Sequence, residues 1–250
     1  MALTPPSTLS PSKVATFRDC GLAFRYSAID RLPEAPTVAA SRGTLVHAAL
    51  ERLLDLPAAE RTVDRALGCL HEAAEAFRTD DDFTGLALDE AAEARFLEEA
   101  EAMVRRYFEL EDPRTIRPIG LEVLLEARVG DVRLRGIIDR LELDEDGGLV
   151  VTDYKTGRAP SVQAEQARLG GVQVYAYLCE QFLGVRPARI QLLHLAEPMR
   201  IIAVPTEQST RGLARRVEAI WAAVERACAA LDPEVARRLD HFASPPKRPS

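Results

Sequence analysis

The fold is decided by residues 135–155, which read RGIIDRLELDEDGGLVVTDYK. Val, Ile and Leu alternate with charged residues on either side of DEDGG at 144–148, a pattern that predicts two antiparallel strands joined by a turn. Asp139 lies near the end of the first strand, and Asp153 and Lys155 lie near the end of the second. Because residues two apart on a strand point to the same face, Asp153 and Lys155 are neighbours, and the hairpin can bring Asp139 beside them.

Two carboxylates and one lysine on one face suit metal-assisted hydrolysis of a phosphodiester. Asp139 and Asp153 would hold Mg²⁺ or Mn²⁺, since both ions prefer oxygen ligands. The cation would neutralise the phosphate and activate a water, and Lys155 would orient that water or stabilise developing negative charge. Tyr154 points to the other face, but its backbone carbonyl is a candidate further ligand. The alternative is a solvated row of charges, and the apolar runs LVV and GII before the two aspartates argue against it.

The sequence around this hairpin predicts one α/β (α+β) domain over residues 1–250. Its first part, 10–112, is expected to be mainly helical, with an extended piece at LAFRYSAI and helices at about 10–20, 45–56, 61–78 and 89–110. Its second part, 113–231, is expected to form a mixed central β-sheet flanked by helices. There we expect a further strand at about 119–129, two more at RIQLLHLA and RIIAVP, and helices at about 162–183 and 207–231. Residues 232–250 read as a polar tail.

The composition is that of an ordinary globular protein, with 47% hydrophobic and 28% charged residues. There is no apolar run of about 18 residues and no signal-peptide pattern, so we expect a cytoplasmic protein without a membrane span. The net charge of -7 excludes a surface that is basic all over but allows a local patch that binds nucleic acid. The four cysteines are scattered, and we expect free thiols rather than disulfides.

Four short motifs follow one another along the chain: RGTLVHAALE at 42–51, GIIDRLE at 136–142, DYKTG at 153–157 and QVYAY at 173–177. In this order they resemble the PD-(D/E)XK nuclease superfamily, and specifically its RecB-type exonuclease branch. Each motif is weak alone, but the four together extend the resemblance over residues 10 to about 205. The resemblance implies a restriction-endonuclease-like core with a helical N-terminal subdomain or insertion, a divalent metal cofactor and DNA as the substrate.

The resemblance also implies roles for particular residues. Asp139 and Asp153 align with the metal carboxylates, Lys155 with the catalytic lysine, and His47 with a histidine that helps to bind the metal. Neutral imidazole can bind divalent metals, although a histidine on a mostly apolar helix is more often packed or capping. Glu51 lies one helical turn after His47 and would orient it, unless it is an exposed helix glutamate.

Further residues of these motifs have two interpretations each. Gln173 and Tyr177 lie four apart on one helix face and align with a motif that positions substrate or a metal-bound water. The alternative is a tyrosine partly buried against the sheet with its hydroxyl in water. Arg42 would contact a DNA phosphate or cap local structure.

One departure from the family concerns an iron–sulfur cluster, which many relatives hold with one N-terminal and three C-terminal cysteines. Cys20 matches the N-terminal position, but the three others are absent from this sequence. A cluster normally needs four thiolates, so we expect none in this chain as given. Cys20 would become a ligand only if a longer natural chain supplied three more cysteines.

The sequence therefore predicts a DNA nuclease, as an exonuclease on single-stranded or frayed ends in repair or recombination. No GxxxxGK[ST] motif is present, so a helicase partner would be a separate protein. The alternatives are a catalytically silent DNA-binding module of a helicase or repair complex, and a hydrolase of RNA. The candidates for phosphate contacts, which would otherwise be solvated surface arginines, are Arg140, Arg158, Arg211, Arg215 and Arg216.

Overall fold

A five-stranded mixed sheet forms the centre of the fold, and its spatial strand order is the order along the chain. Neighbouring strands run antiparallel, except that the third and fourth are parallel. The prediction of a mixed central sheet flanked by helices is confirmed. The strands are β1 Pro118–Val129, β2 Val132–Leu143, β3 Leu149–Lys155, β4 Arg189–His194 and β5 Met199–Ala203.

The computed structural model describes residues 3–158 and 162–230, apart from the side chains of 162–172 and 230. The predicted polar tail, 232–250, lies outside the described residues. Within them, no helix combines the length and the apolar character that crossing a membrane requires. The α-helices are α1 Pro11–Asp19, α2 Gly21–Phe24, α3 Val38–Asp55, α4 Val63–Phe77, α5 Asp81–Thr84, α6 Glu90–Leu110, α7 Val162–Leu183 and α8 Glu207–Ala230.

Helices cover both faces of the sheet, and each face has its own apolar core. On one face α3, α4 and α6, here called the α3 layer, pack on Tyr154 and Leu193 of the central strands. On the other face α1, α7 and α8, here called the α7 layer, pack on Val151 and Leu192. The period of two along β3 and β4 therefore sends alternate side chains to the two layers. Polar side chains of β3 must find their partners inside these cores.

Most of the predicted elements are present, with one difference near the N-terminus. Helix α1 lies where a helix is predicted, and Ser10 caps it by accepting a hydrogen bond from the Lys13 N–H at 3.2 Å. The extended piece predicted at LAFRYSAI is wrong, because this segment forms α2 and a π-helical turn, Arg25–Ile29. Phe24 and Ala28 are buried four residues apart, which is a helical spacing that the local pattern did not reveal.

The other differences are at helix starts. Helix α3 begins about seven residues before the predicted start, since Thr37 caps it by accepting from the Ala40 N–H at 3.2 Å. The acidic loop before α6 contains the short helix α5, which Asp80 caps. The earlier start of α3 places the whole RGTLVH motif within one continuous helix.

The hairpin of β1 and β2 turns over part of the way along its length. Leu121 packs with the α3 layer, whereas Val123, two residues later, packs with the α7 layer. The change takes place at Glu122, whose φ of 47° lies in the left-handed region, an uncommon and strained conformation for a non-glycine residue. On β2, Ile138 faces the α7 layer, and Arg140 bonds to Tyr107 of α6 in the α3 layer. In both strands, therefore, residues two apart point to opposite faces of the sheet on either side of Glu122 and Asp139.

Candidate active site

The site lies where β2 and β3 separate. Their ladder ends at the pair Arg140 and Thr152, one position before Asp139 would face Asp153. There the Tyr154 backbone N–H donates to Asp139 Oδ2 at 2.6 Å. A carboxylate side chain thus takes the place of a backbone carbonyl as acceptor. The separation leaves room between the strands for the two aspartates.

Helix α3 approaches this gap closely because Gly43 has no side chain. A Cβ at Gly43 would lie 2.7 Å from Thr156 Oγ1, just after β3. One helical turn later, His47 Nδ1 lies 3.5 Å from Asp139 Oδ2. Burial opposes protonation of His47, but Asp139 and further nearby carboxylates raise its pKa above the ordinary value. The glycine and the histidine of this motif therefore have distinct roles. Gly43 permits the close approach of α3 to β3, and His47 contacts the Asp139 carboxylate.

Glu122 is a site residue that sequence reasoning missed. Single ligand atoms of His47, Glu122 and Asp139 all lie within 4.8 Å of one another. Burial, helped by the negative charge of Asp139, raises the pKa of Glu122 to about 7. A signal for it was present, because Gly130 and Asp131 form a two-residue turn. Counting outward from that turn places Glu122 opposite Asp139.

Asp153 and Lys155 are neighbours on one side of β3, as their spacing predicts. The Lys155 ammonium forms an ion pair with Asp153 Oδ2. Asp153 is only 3% exposed, and burial raises its pKa although Lys155 opposes the shift; Asp139 adds to the rise. The side chain of Lys155 is 46% exposed. Its ammonium therefore reaches both the buried carboxylate and the solvent side of the gap.

Tyr175 of α7 is a second residue that the sequence did not single out. Its hydroxyl donates to Asp153 Oδ1 at 3.0 Å, while Lys155 contacts the other oxygen. Burial raises the pKa of Tyr175 well above its ordinary value, so the hydroxyl keeps its proton. The structure thus holds the Asp153 carboxylate from both sides. Tyr175 lies inside the QVYAY motif, between the two residues that the resemblance selects.

Gln173 and Tyr177 themselves are not brought to the carboxylates. The Tyr177 hydroxyl donates to the Arg128 backbone oxygen at 2.8 Å, near the far end of β1. The Gln173 amide oxygen accepts from the Arg216 guanidinium of α8. A role for Gln173 and Tyr177 in positioning substrate stays a prediction.

The proposal of Arg140 as a DNA contact is wrong, because Arg140 is fully buried with 0% exposure. Its guanidinium forms ion pairs with Glu111 and Glu142 and donates to the Tyr154 hydroxyl at 2.9 Å. These partners lie on the face of the sheet that the α3 layer covers, and they keep the charge satisfied and away from solvent. Tyr154 points to the opposite face of β3 from Asp153 and Lys155, as predicted, and there its ring lies edge-on to His47 with the ring centroids 5.8 Å apart.

The remaining acidic and polar candidates have clear positions. Glu51 lines a surface pocket beside Leu121, and its negative charge helps to raise the pKa of Glu122. The contact of His47 is with Asp139, so orientation of His47 by Glu51 stays a prediction. Arg42 forms an ion pair with Glu99 of α6. Cys20 is exposed, and its sulfur caps α2.

The other basic candidates are surface residues. Arg158 is exposed, with its Nε 3.6 Å from Glu197. On α8, Arg211 lies 3.3 Å from Glu207, and Arg215 is exposed. Their part in DNA binding stays a prediction.

The donor set fits a divalent cation. One imidazole and two carboxylates can each offer an atom to the same point, and all three residues are on rigid elements. Burial and then the repulsion of Asp139 raise the pKa of Glu122, and a cation between the carboxylates would remove that repulsion. The carboxylate oxygens suit Mg²⁺ or Mn²⁺, and the imidazole is a donor more typical of transition-metal ions. His47, Glu122 and Asp139 are thus the residues that would hold it, with Asp153 beside them.

Comparisons with known proteins agree with this geometry. The family model described as the PD-(D/E)XK nuclease superfamily matches residues 8–247. The crystal structure of a candidate exonuclease from Eubacterium rectale superposes with a TM-score of 0.62 at 14% identity, covering 98% of this chain and 91% of that chain. SSO0001 gives a TM-score of 0.34 at 12% identity, covering 85% and 82% of the two chains, which is too low for an argument. No curated protein matches by sequence at a significant level.

At 14% identity the Eubacterium rectale structure supports the fold alone. The family model does more, because its match includes the helix of His47, the hairpin of Asp139 and the strand of Asp153 and Lys155. These are the elements that converge at the gap between β2 and β3. A match of this extent, on a chain with this fold, means that the chain belongs to the PD-(D/E)XK nuclease superfamily.

Proposed function

We propose that the protein is a metal-dependent DNA nuclease of the RecB-like branch, acting as an exonuclease on single-stranded or frayed ends in repair or recombination. The observation that carries the proposal is the convergence of His47, Glu122 and Asp139 beside the ion pair of Asp153 and Lys155. A catalytically silent binding module would not need both the carboxylates and the lysine, and this chain has all of them. The family model, which matches residues 8–247, supports a nuclease.

The proposed cofactor is Mg²⁺ or Mn²⁺, held by His47, Glu122 and Asp139, with Asp153 and the Tyr154 backbone carbonyl as further candidate ligands. When bound, such a cation neutralises phosphate charge and lowers the pKa of a bound water. The phosphate would lie between the metal ligands and the Lys155 ammonium. Lys155 can donate to a phosphate oxygen or hold the attacking water while Asp153 anchors its ammonium.

The neighbours of Asp153 contribute by holding it still. Tyr175 donates to one carboxylate oxygen and Lys155 contacts the other. A carboxylate fixed on both sides needs little reorganisation when charge develops nearby. Tyr175 is therefore proposed as a positioning residue for Asp153.

The experiment is cleavage of DNA that carries separate labels at the 5′ and 3′ ends. Single-stranded, frayed and blunt substrates, and an RNA of the same sequence, are incubated with Mg²⁺, Mn²⁺ or EDTA. Mononucleotides released from one label first indicate an exonuclease and its polarity, whereas internal fragments indicate an endonuclease. Faster digestion of frayed than of blunt ends would support dependence on a separate helicase.

The variants are Asp153→Asn and Lys155→Ala, with Asp146→Asn as the matched control. Asp146 is an exposed aspartate in the turn at the opposite end of β3 from Lys155. We expect cleavage to need the metal, to fall by at least a hundredfold in both site variants and to be unchanged in the control. Cleavage that survives both site substitutions contradicts the proposal, and metal-independent DNA binding without cleavage favours the silent module.

A further inference from the structure

The outer half of the β1–β2 hairpin presents a bare face beside the site. Beyond Glu122 and Asp139, alternate residues of both strands are buried against the α7 layer. The intervening residues point away from that layer, and five of the six are exposed; the sixth, a glutamate, is partly buried. They form three cross-strand pairs, which are Leu124 with Ile137, Glu126 with Arg135, and Arg128 with Arg133.

These pairs are arranged by chemistry along the ribbon. Leu124 and Ile137 are 45% and 47% exposed, and each is two residues from a carboxylate of the site. The arginines follow at the two outer positions. Successive pairs are about 7 Å apart, so the outermost arginines lie about 20 Å from the carboxylates. An apolar step thus adjoins the site, and positive charge follows it.

The charge of this face is positive although the chain carries a net charge of -7. The single acid of the face, Glu126, is shared by Arg133 at 2.9 Å and Arg135 at 3.7 Å. Lys13 lies near Arg135: burial lowers the pKa of Lys13, and the charges of Arg31 and Arg135 lower it further. Clustered cations of this kind attract an anion.

We propose that this face is a docking track for a single strand of nucleic acid. The inference rests on the proposed function and deepens it. Leu124 and Ile137 contact the base or sugar next to the phosphate in the site, as exposed apolar side chains do in unstacked nucleic acid. Arg128, Arg133 and Arg135 then contact the phosphates of the following nucleotides.

A single strand fits this face better than a duplex or a protein. The hairpin is two strands wide, and its apolar step can contact the face of a base only when that base is unpaired. The excess of arginine over acid favours phosphates over a protein of mixed charge. The track also leads directly to carboxylates that suit phosphodiester chemistry.

The test is fluorescence anisotropy with a labelled 15-nucleotide oligo-dT and a hairpin duplex, measured in EDTA over a series of salt concentrations. The variants are R133Q/R135Q, L124S/I137S and E126Q, and the control is R95Q/R105Q, which removes two exposed arginines of α6. Thermal unfolding of each variant reports its folding. Cleavage is assayed separately in Mg²⁺ and Mn²⁺.

Each variant has a different expected signature. R133Q/R135Q weakens oligo-dT binding about tenfold at low salt and reduces the slope of log K against log salt by about 1.4, since each lost single-strand phosphate contact removes about 0.7. L124S/I137S weakens binding about fivefold with an unchanged slope, because no charge is removed. E126Q tightens binding about threefold. The control binds like the wild type.

Wild-type binding in R133Q/R135Q and E126Q overturns the proposal, as does stronger binding of the duplex than of oligo-dT. If R133Q/R135Q does not fold, E126Q alone decides, because the absence of tighter binding is then the negative result. A dimer that L124S/I137S dissociates, with DNA binding unaffected, would assign the face to a second copy of the chain instead. Binding with the expected signatures but no cleavage leaves the track standing and overturns the proposed nuclease activity, and the reverse result overturns the track alone.

Discussion

The Tyr154 backbone N–H donates to Asp139 Oδ2 at 2.6 Å, so a side chain of β2 bonds to the main chain of β3 where their ladder has ended. Asp139 therefore has two tasks. Its oxygen acts as a hydrogen-bond acceptor that keeps the strands together, and its charge belongs to the candidate metal site. The two tasks predict different results for different substitutions.

Asp139→Asn keeps an oxygen acceptor for Tyr154 but removes the charge. We expect nearly wild-type stability and loss of Mn²⁺ binding by calorimetry. Asp139→Ala removes both, and because it leaves a buried N–H without its acceptor it should cost about 1–2 kcal/mol in urea unfolding. Equal instability of the two variants would show that the charge, rather than the acceptor, holds the strands.

Glu122 provides a prediction on pH. Its pKa of about 7 lies above the ordinary value of 4.5, so the folded state binds the proton more tightly than the unfolded state. Ionisation of Glu122 therefore destabilises the fold progressively between about pH 4.5 and pH 7 and fully above that range. In EDTA at pH 8, Glu122→Gln should be more stable than the wild type by about 1–2 kcal/mol after solvent screening.

The measurement is urea unfolding of both proteins between pH 4 and pH 8. The stability difference should close as the pH falls below about 4.5. Glu126→Gln is a matched control on the same strand. A difference that is independent of pH would contradict the assignment of the shifted pKa to Glu122.

Gly43 gives a prediction in which the effect of a substitution on stability changes sign with the residue at position 156. A Cβ there would lie 2.7 Å from Thr156 Oγ1, so Gly43→Ala should destabilise the protein by about 1–2 kcal/mol despite the better helix propensity of alanine. In a Thr156→Ala background the obstacle is gone, and the same change should be neutral or stabilise by up to about 1 kcal/mol. A double-mutant cycle of unfolding free energies measures this coupling. Additive effects would mean that α3 is not limited by this contact.

Asp153 and Lys155 could be predicted because a strand has a period of two and the DEDGG turn fixes the hairpin. Glu122 could have been found from the Gly130–Asp131 turn, but its left-handed backbone could not. The strand pattern assumes regular alternation, and the hairpin turns over at this residue. The sequence therefore predicts which residues lie opposite each other, but not the backbone conformation that directs their side chains into the site.

The error at Arg140 has a different origin. A charged residue after Asp139 reads as solvent-exposed, since isolated charges are rarely buried. Its ion-pair partner Glu111 lies 29 residues earlier, on the loop after α6. Only the packing of the α3 layer on the sheet brings the two together, and no local pattern contains that information.

Substitution of Arg140 tests whether its buried ion pairs stabilise the fold. Arg140→Met should leave Glu111 and Glu142 buried without their cation and cost about 3–5 kcal/mol in urea unfolding. The companion variant Arg140→Met with Glu111→Gln and Glu142→Gln should recover much of that loss, because no buried charge remains unpaired. Arg215→Met, at an exposed arginine of α8, is the control and should be nearly neutral. A neutral Arg140→Met would contradict the buried ion pairs.

The last prediction distinguishes two tyrosines of α7 that are two residues apart in the sequence and make different contacts. Tyr175 donates to Asp153 Oδ1 at 3.0 Å, whereas Tyr177 donates to the Arg128 backbone oxygen at 2.8 Å. Tyr175→Phe should therefore lower kcat in Mg²⁺ about tenfold. The Tyr175 hydrogen bond lowers the pKa of Asp153, so its loss should move the acidic limb of the pH–rate profile to higher pH.

Tyr177→Phe should instead cost about 1 kcal/mol of stability, the usual worth of one hydrogen bond, with the pH–rate profile in place. A merely structural role for Tyr175 would reduce stability without moving that profile. If Tyr177→Phe shifts kcat and the profile while Tyr175→Phe does not, the motif spacing rather than the observed contact identifies the functional tyrosine. The outcome thus decides between resemblance and geometry at the one place where they select different residues of the same helix.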